Sequence, residues 1–256
     1  MTNKKNISAL LITYNEIKHI KAVINNISFA DEIIVIDSFS DDGTYQELQK
    51  LTHVKTIQRR FKNFADQRNF AIKQANANWI LFIDADERVT KKLEQEIKLE
   101  TTKNDNKISG FMVKRLYYFK QKRIRFSGFQ TDTTYRLFKN GKVKYIDSKI
   151  VHEMPKIDGE SKLLKNNMLH YCFNNAAHYK SKMEHYAKLK ALELFNKGKK
   201  PNTYHLYMRP LIKFLTNYIF RLGVLDGKEG FSICYLSAYG VNYRYKELRK
   251  LWNKKV

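Results

Sequence analysis

The chain has 256 residues, 43% of them hydrophobic and 29% charged, enough to bury a substantial core in one large domain or two modest ones. Its formal charge of +23 admits two readings, an electrostatic footprint for an anionic partner or Lys spread over solvated faces; 36 Lys against 12 Arg favours the second. The two cysteines, Cys172 and Cys234, lie too far apart for a metal-ligand pattern or a disulfide framework, which fits a reducing cytosol.

The apolar run Ile7 to Thr13 predicts a first strand; it is too short for a secretory signal and has no small-residue cleavage site. Ile17, Ile20, Val23, Ile24 and Ile27 recur at helical spacing, so a helix with one buried face follows. Glu32 to Asp37 reads as a second buried strand that ends in a turn-forming cluster, Asp37 to Thr44. Thr44 and Glu47 have capping-box spacing at the start of another helix. Val54 to Ile57 predicts a weak third strand, Phe64 to Ala75 a helix, and Trp79 to Ile83 a fourth strand buried on both faces. Strands alternating with helices imply a mainly parallel sheet built by right-handed crossovers.

Leu93 and Ile97 mark a short helix. From Gly110 to Ile150 the pattern is of short aromatic strands: Phe111 to Val113, Leu116 to Phe119, Tyr135 to Phe138 and Val143 to Ile146. The remainder reads as helical, with one face from Tyr179 to Phe195 and an amphipathic stretch, Met208 to Leu222, carrying Arg209, Lys213 and Arg221 at its edges. No run without charge exceeds 14 residues, the length of Gly230 to Tyr243, which is below the length needed to span a bilayer.

The fourth strand runs directly into Asp84-Ala85-Asp86-Glu87. Asp-X-Asp alone is short enough to arise by accident in a solvated turn. At the carboxyl end of a buried parallel strand, however, two hard oxygen ligands sit where open α/β sheets bind ligands, and they suit Mg²⁺ or Mn²⁺ and a phosphate-bearing substrate. The histidines His170, His178, His185 and His205 look too scattered for a metal cluster.

In order and spacing, Ser8 to Glu16 ending in Thr13-Tyr14-Asn15-Glu16, Ile36 to Thr44, Gln67-Arg68-Asn69-Phe70-Ala71 and Leu81 to Glu87 resemble the family 2 glycosyltransferases. Asp66-Gln67-Arg68-Asn69, Arg136-Leu137-Phe138, Val151-His152-Glu153 and Leu225 to Phe231 together look like the lipopolysaccharide core β-1,4-glucosyltransferase group of that family. The resemblance implies an α/β GT-A fold with a Rossmann-like, mainly parallel sheet flanked by helices. A catalytic core would span residues 1–155, nucleotide-binding over 1–90 and acceptor-binding over 91–155. A basic helical extension, 156–256, would pack on the core and associate with a membrane.

The resemblance also implies roles. Asp86 would ligate Mn²⁺ or Mg²⁺ directly, and Asp84 would contact the ribose or help hold the metal. Asp37 would accept a hydrogen bond from the base; Thr13, Tyr14 and Glu16 would line the nucleotide pocket, and Arg68 would lie near the base or diphosphate. Many members carry a later Glu-Asp pair whose Asp is the base. None is found here, leaving Glu153, with His152 beside it, and Asp132; Glu153 is preferred because it lies in a recognisable motif, while His152 could instead be a third metal ligand.

The expected activity is inverting transfer of a hexose, glucose by family likeness, from a UDP-sugar to a lipopolysaccharide-core or other glycolipid acceptor. It would take place in the cytoplasm, peripherally at the inner face of an anionic membrane. Two alternatives stand beside it. A non-enzymatic nucleic-acid- or anionic-surface-binding protein would explain the charge but not acids gathered at strand ends, so no nucleic acid is expected as partner. A nucleotidyltransferase on the same fold would ordinarily carry a Gly-rich loop after the first strand, where Thr13-Tyr14-Asn15-Glu16 has no Gly.

Overall fold

The computed structural model describes residues 5–103, 105–146, 155–173 and 175–254. The elements run β1 (Ile7–Thr13), α1 (Ile17–Asn26), β2 (Glu32–Asp37), α2 (Thr44–Gln49), β3 (Val54–Gln58), α3 (Phe64–Gln74), β4 (Trp79–Phe82), β5 (Glu87–Val89), α4 (Lys91–Thr102), β6 (Ile108–Phe119), β7 (Lys122–Ile124), β8 (Thr133–Lys139), β9 (Val143–Tyr145), β10 (Pro155–Ile157), β11 (Glu160–Phe173), α5 (Ala176–Asn196), α6 (Arg209–Leu215) and α7 (Gly227–Asn253). One sheet has the order β3-β2-β1-β4-β8-β6-β11-β5, with β7 paired to β6; β9 and β10 form a separate ribbon.

The chain divides into two compact units. The first comprises residues 1–115 and 132–170, and the second 116–131 and 171–256. In the first unit β3, β2, β1 and β4 are parallel, while β4 pairs antiparallel with β8 and β5 with β11. Strand alternation sorts the apolar residues onto two faces. Ala9, Leu11, Ile33 and Val35 pack with Ile20, Val23 and Ile24 of α1 and Leu93 and Ile97 of α4, whereas Leu10, Ile34, Ile36, Ile80 and Phe82 pack with Ala65 and Ala71 of α3. Burial on both faces is the condition for parallel strands to read as continuous apolar runs, as these do.

The second unit is built on α5 and α7. Tyr179, Ile233 and Leu236 pack with Tyr117, Phe119 and Ile124 at one end, and Ala191, Tyr245 and Leu248 form a cluster at the other. Asp226, in one of the motifs of the resemblance, is buried, and its carboxylate accepts the Arg125 and Phe126 amides and the Ser127 hydroxyl at 2.8–3.0 Å.

Two expectations change. The two short strands predicted at Phe111 to Val113 and Leu116 to Phe119 are one long strand, β6. The segment expected to open the helical extension is β11, because Leu164 and Met168 are buried on a two-residue period and His170 follows on the same face. The helical part therefore begins only at α5, and the division at residue 155 is replaced by units that take β6 and β11 partly into each.

Candidate active site

The carboxyl ends of three adjacent parallel strands lie in register, with Thr13 of β1 opposite Asp37 of β2 and Asp37 opposite Gln58 of β3. The loops that follow β1 and β2 are tied together. Asn15 and Phe39 adopt left-handed backbone (φ 56° and 61°), which turns each chain sharply. The Asn15 amide donates to Ser40 Oγ at 2.9 Å, Asn15 and Asp41 exchange two further bonds, and the Glu16 amide donates to Thr44 Oγ1 at 2.9 Å. Tyr14 and Phe39 project into solvent from this zipped pair, while Thr13 is buried and its Oγ1 has no hydrogen-bond partner among the described residues.

Asp37 is fully buried. It accepts the Ser40 hydroxyl at 2.5 Å, the Ser40 amide at 3.1 Å and Gln58 Nε2 at 3.1 Å. The carboxylate expected to meet a base is thus committed inward, as the staple that shapes the loop. Ser38 and Phe39 are what that staple presents.

Beyond β4 the chain makes a tight turn, closed by the Glu87 amide donating to the Asp84 carbonyl at 2.9 Å while the Asp84 amide donates to the Glu87 carboxylate at 3.2 Å. Pairing of β4 with β8 brings in Arg136, one residue before Leu137 opposite Leu81. Its guanidinium, 4% exposed, donates twice to Glu87 at 2.8 Å and once to Asp84 at 2.5 Å. Arg68, from α3, reaches the other Asp84 oxygen at 3.3 Å and lies over the rings of Phe82 and Tyr145. Arg115 bonds Asp132 at 2.6 Å and Glu87 at 3.5 Å.

The result is a compensated cluster in which planar guanidinium groups satisfy carboxylates in low-dielectric surroundings. Burial alone would raise the Asp84 pKa, but Arg136 and Arg68 override it and hold the group below the usual carboxylate range. Burial likewise opposes the charge on Arg136, and Asp84 and Glu87 more than offset it, so its pKa is raised.

The pairing of β5 with β11 sets His170 opposite Glu87 and brings His170 Nε2 to 3.3 Å from the Asp86 carboxylate. His170, set aside in the sequence as one of several scattered histidines, therefore belongs to the site. Arg115 was likewise not singled out, and Glu87 and Arg136 appeared only inside sequence motifs, with no role given to either.

Of the residues expected in the site, Arg68, Asp84 and Asp86 come together, Asp132 joins them through Arg115, and Thr13, Tyr14, Glu16 and Asp37 gather at the neighbouring strand ends. His152 and Glu153 lie outside the described residues. For a metal, Asp84 is a poorer candidate than the sequence implied, since two guanidinium groups occupy its oxygens. Among the described residues no group of three or more His, Cys, Asp or Glu side chains could hold an ion. Asp86 with His170 supplies one carboxylate and one imidazole donor, a set that fits a divalent cation completing its shell with phosphate oxygens and water.

A parallel sheet extended by antiparallel strands, with paired acids where its fourth strand ends, defines the GT-A class of glycosyltransferase folds. The chain belongs to glycosyl transferase family 2, whose family model matches residues 8–184. Among its relatives, the lipopolysaccharide core biosynthesis glycosyltransferase LpsC of Rhizobium meliloti is 30% identical over 237 residues, covering 90% of this chain and 87% of that protein. A protein of Rickettsia conorii named as an uncharacterized glycosyltransferase is 27% identical, covering 95% of this chain and 90% of that one. In fold, the chain is similar to the mannosyltransferase PcManGT from Pyrobaculum calidifontis, solved with GDP-Man and Mn²⁺ (TM-score 0.55, 14% identity, 99% of this chain and 89% of that one). It is also similar to residues 1–349 of S. aureus TarS, solved with UDP-GlcNAc (TM-score 0.50, 13% identity, 97% and 92% coverage).

Proposed function

We propose that this glycosyltransferase moves a hexose, glucose in the first instance, from a UDP-sugar to a lipid-linked saccharide of the lipopolysaccharide-core type, with inversion at the anomeric carbon. The observation that carries the reading is the Asp84–Glu87 turn at the carboxyl end of β4, whose acids are fixed by Arg68 and Arg136 while Asp86 faces His170. The name of LpsC supports the acceptor class, and the complexes of PcManGT and TarS support a nucleotide-sugar donor.

In this reading Asp86 and His170 hold the divalent cation, and the imidazole donor favours Mn²⁺ over Mg²⁺. When bound, the ion supplies neutralisation of the charge that develops on the departing diphosphate. Thr13, Tyr14 and Glu16, with the loop stapled by Asp37, line the nucleoside pocket, and the buried Thr13 hydroxyl is a polar atom that a base would satisfy. Arg68 and Arg136 keep the acids in place and add fixed positive charge beside the diphosphate. Glu153 takes the proton of the attacking acceptor hydroxyl. Asp132 is the weaker choice because Arg115 already engages its carboxylate. The reaction takes place at the cytoplasmic face of a membrane; no helix among the described residues is long and apolar enough to cross one.

The test is UDP release from a panel of UDP-sugars with Mn²⁺ or Mg²⁺, comparing the wild-type chain with Asp86→Ala and Glu153→Ala. Metal-dependent release from one sugar nucleotide, abolished in Asp86→Ala, is the expected result. Absence of release from every UDP-sugar in every metal, with and without a glycolipid acceptor, would refute the reading.

A further inference from the structure

The surplus charge is not spread evenly. The second unit holds 21 Lys and Arg against 5 Asp and Glu, whereas the first holds 27 against 20. Within the second unit, no acid occurs in the 32 residues from Leu194 to Leu225.

That stretch contains a helical run, α6 with wide π-type turns on either side, Tyr204–Met208 and Thr216–Phe220. Pro210 accounts for the first wide turn, since it lacks the N–H that would bond the Leu206 carbonyl and its ring crowds that oxygen. The Asn242 side chain supplies the missing donor at 2.7 Å. The run is thus docked on α7 by a specific polar contact.

Its outer side inverts the pattern of an ordinary surface helix. Tyr204, Tyr207, Met208, Leu211 and Ile212 recur at helical spacing and are all exposed, and Ile219, Phe220, Leu222, Val224 and Leu225 continue the apolar surface. Phe220 is 79% exposed, Tyr207 68% and Leu225 64%. The cations of the run turn away from this stripe. Arg209 sends its guanidinium to the ring and hydroxyl of Tyr245, and Lys213 is half-buried beside Asn217, burial lowering its pKa. Leu222 holds a left-handed conformation (φ 54°) that Gly adopts at lower cost, so an apolar side chain stands in solvent against local backbone preference. Large apolar side chains exposed this densely in one segment mark an interaction site.

Charge decides the occupant. A second copy would bring the same cationic unit against this one and be repelled. An anionic bilayer is complementary, and beside the stripe, at Tyr207, a groove of about 340 Å³ is lined by Lys246, Arg249 and Lys250 together with Leu206 and Asn242. We propose that the segment from Tyr204 to Leu225 is an interfacial anchor: Tyr207, Leu211, Phe220 and Leu225 enter the headgroup–acyl boundary of an anionic phospholipid layer, and the Lys246–Arg249–Lys250 groove takes lipid phosphates. This rests on the membrane placement in the transferase reading and deepens it by naming the surface that would provide it; the site residues of that reading lie in the other unit.

The test is co-sedimentation of the full chain with phosphatidylglycerol–phosphatidylcholine vesicles and with phosphatidylcholine alone, alongside sedimentation velocity without lipid. The wild-type chain is expected to bind the anionic vesicles preferentially and less so at high salt. Phe220→Asp/Leu225→Asp should lose more than roughly tenfold in vesicle affinity while keeping its circular dichroism and UDP binding. Tyr207→Asp/Leu211→Asp should do the same from the other end of the stripe. No binding by the wild-type chain, or undiminished binding by both folded double variants, would overturn the proposal; so would a wild-type dimer that becomes monomeric in the variants, which would show a second copy covering the face. UDP binding is read separately, so failure here leaves the transferase reading standing, and the converse also holds.

Discussion

Arg136 does two jobs with one guanidinium: it satisfies Glu87, which is fully buried, and it fixes one oxygen of Asp84. Arg136→Met leaves both carboxylates without that partner and should cost about 3–5 kcal/mol in denaturant melts, because an uncompensated buried charge is the expensive product of breaking such a pair. Adding Glu87→Leu should return part of the loss, a non-additivity that a simple packing role for Arg136 would not show. Asp84, Asp86 and Glu87 were legible from the sequence because they are contiguous after an apolar strand. The roles of Arg136, although it lies in a recognisable motif, and of His170 were not, because antiparallel pairing brings them in from 49 residues beyond Glu87 and 84 beyond Asp86. Asp37 shows the converse limit: the turn after β2 was legible, while the burial and partners of its carboxylate, which sequence does not report, were not.

At the scale of elements, Glu32 links three segments at the amino-terminal edge of the sheet, accepting Ser8 Oγ of β1 at 2.7 Å, the Asn76 side chain at 2.9 Å ahead of β4, and Lys5 at 3.2 Å. Burial pushes its pKa up, but the Ser8, Asn76 and Lys5 bonds prevail and bring it from the ordinary 4.5 down to about 2. A carboxylate whose pKa is depressed by folding stabilises the native state above its unfolded pKa, and that stability is lost as pH falls from about 4.5 toward about 2. Glu32→Gln should therefore flatten the acid limb of the thermal-stability profile in that window. An unchanged acid limb would refute this linkage.

A second element-scale prediction concerns the helical unit. Asn242→Ala removes the donor that compensates for Pro210 and should cost about 1–3 kcal/mol. In a Pro210→Ala background, where residue 210 regains an N–H for the Leu206 carbonyl, the same substitution should cost less, and a double-mutant cycle on thermal unfolding reads the difference. The alternating α/β half was readable because buried parallel strands and amphipathic helices each impose their own period. β6 and β11 were misjudged because their partly polar lengths hide one continuous strand until the pairing is seen.

For the whole molecule, total charge was a poor guide and its distribution a better one. The excess of Lys over Arg pointed to diffuse surface charge, but the thinning of acids after residue 131 already marked the carboxyl-terminal half as the basic one, and the unit formed by residues 116–131 and 171–256 carries most of the surplus with exposed apolar residues as well. Chain order alone did not reveal that grouping, because 116–131 joins a unit otherwise built from the carboxyl-terminal residues. The acids, by contrast, are concentrated in the unit that carries the candidate site, where arginines balance them. A cation and a diphosphate entering together bring charges that largely cancel.

The central claim is that Asp86 and His170 hold a divalent ion only together with a nucleoside diphosphate. Isothermal titration of UDP into the wild-type chain, Asp86→Asn and His170→Ala, each with Mn²⁺ and with chelator, tests it most directly. The expected result is that Mn²⁺ tightens UDP binding to the wild-type chain by roughly 10–100-fold and that either substitution removes the gain. UDP binding of equal strength with Mn²⁺ and with chelator, or a metal effect that survives both substitutions, would contradict the account.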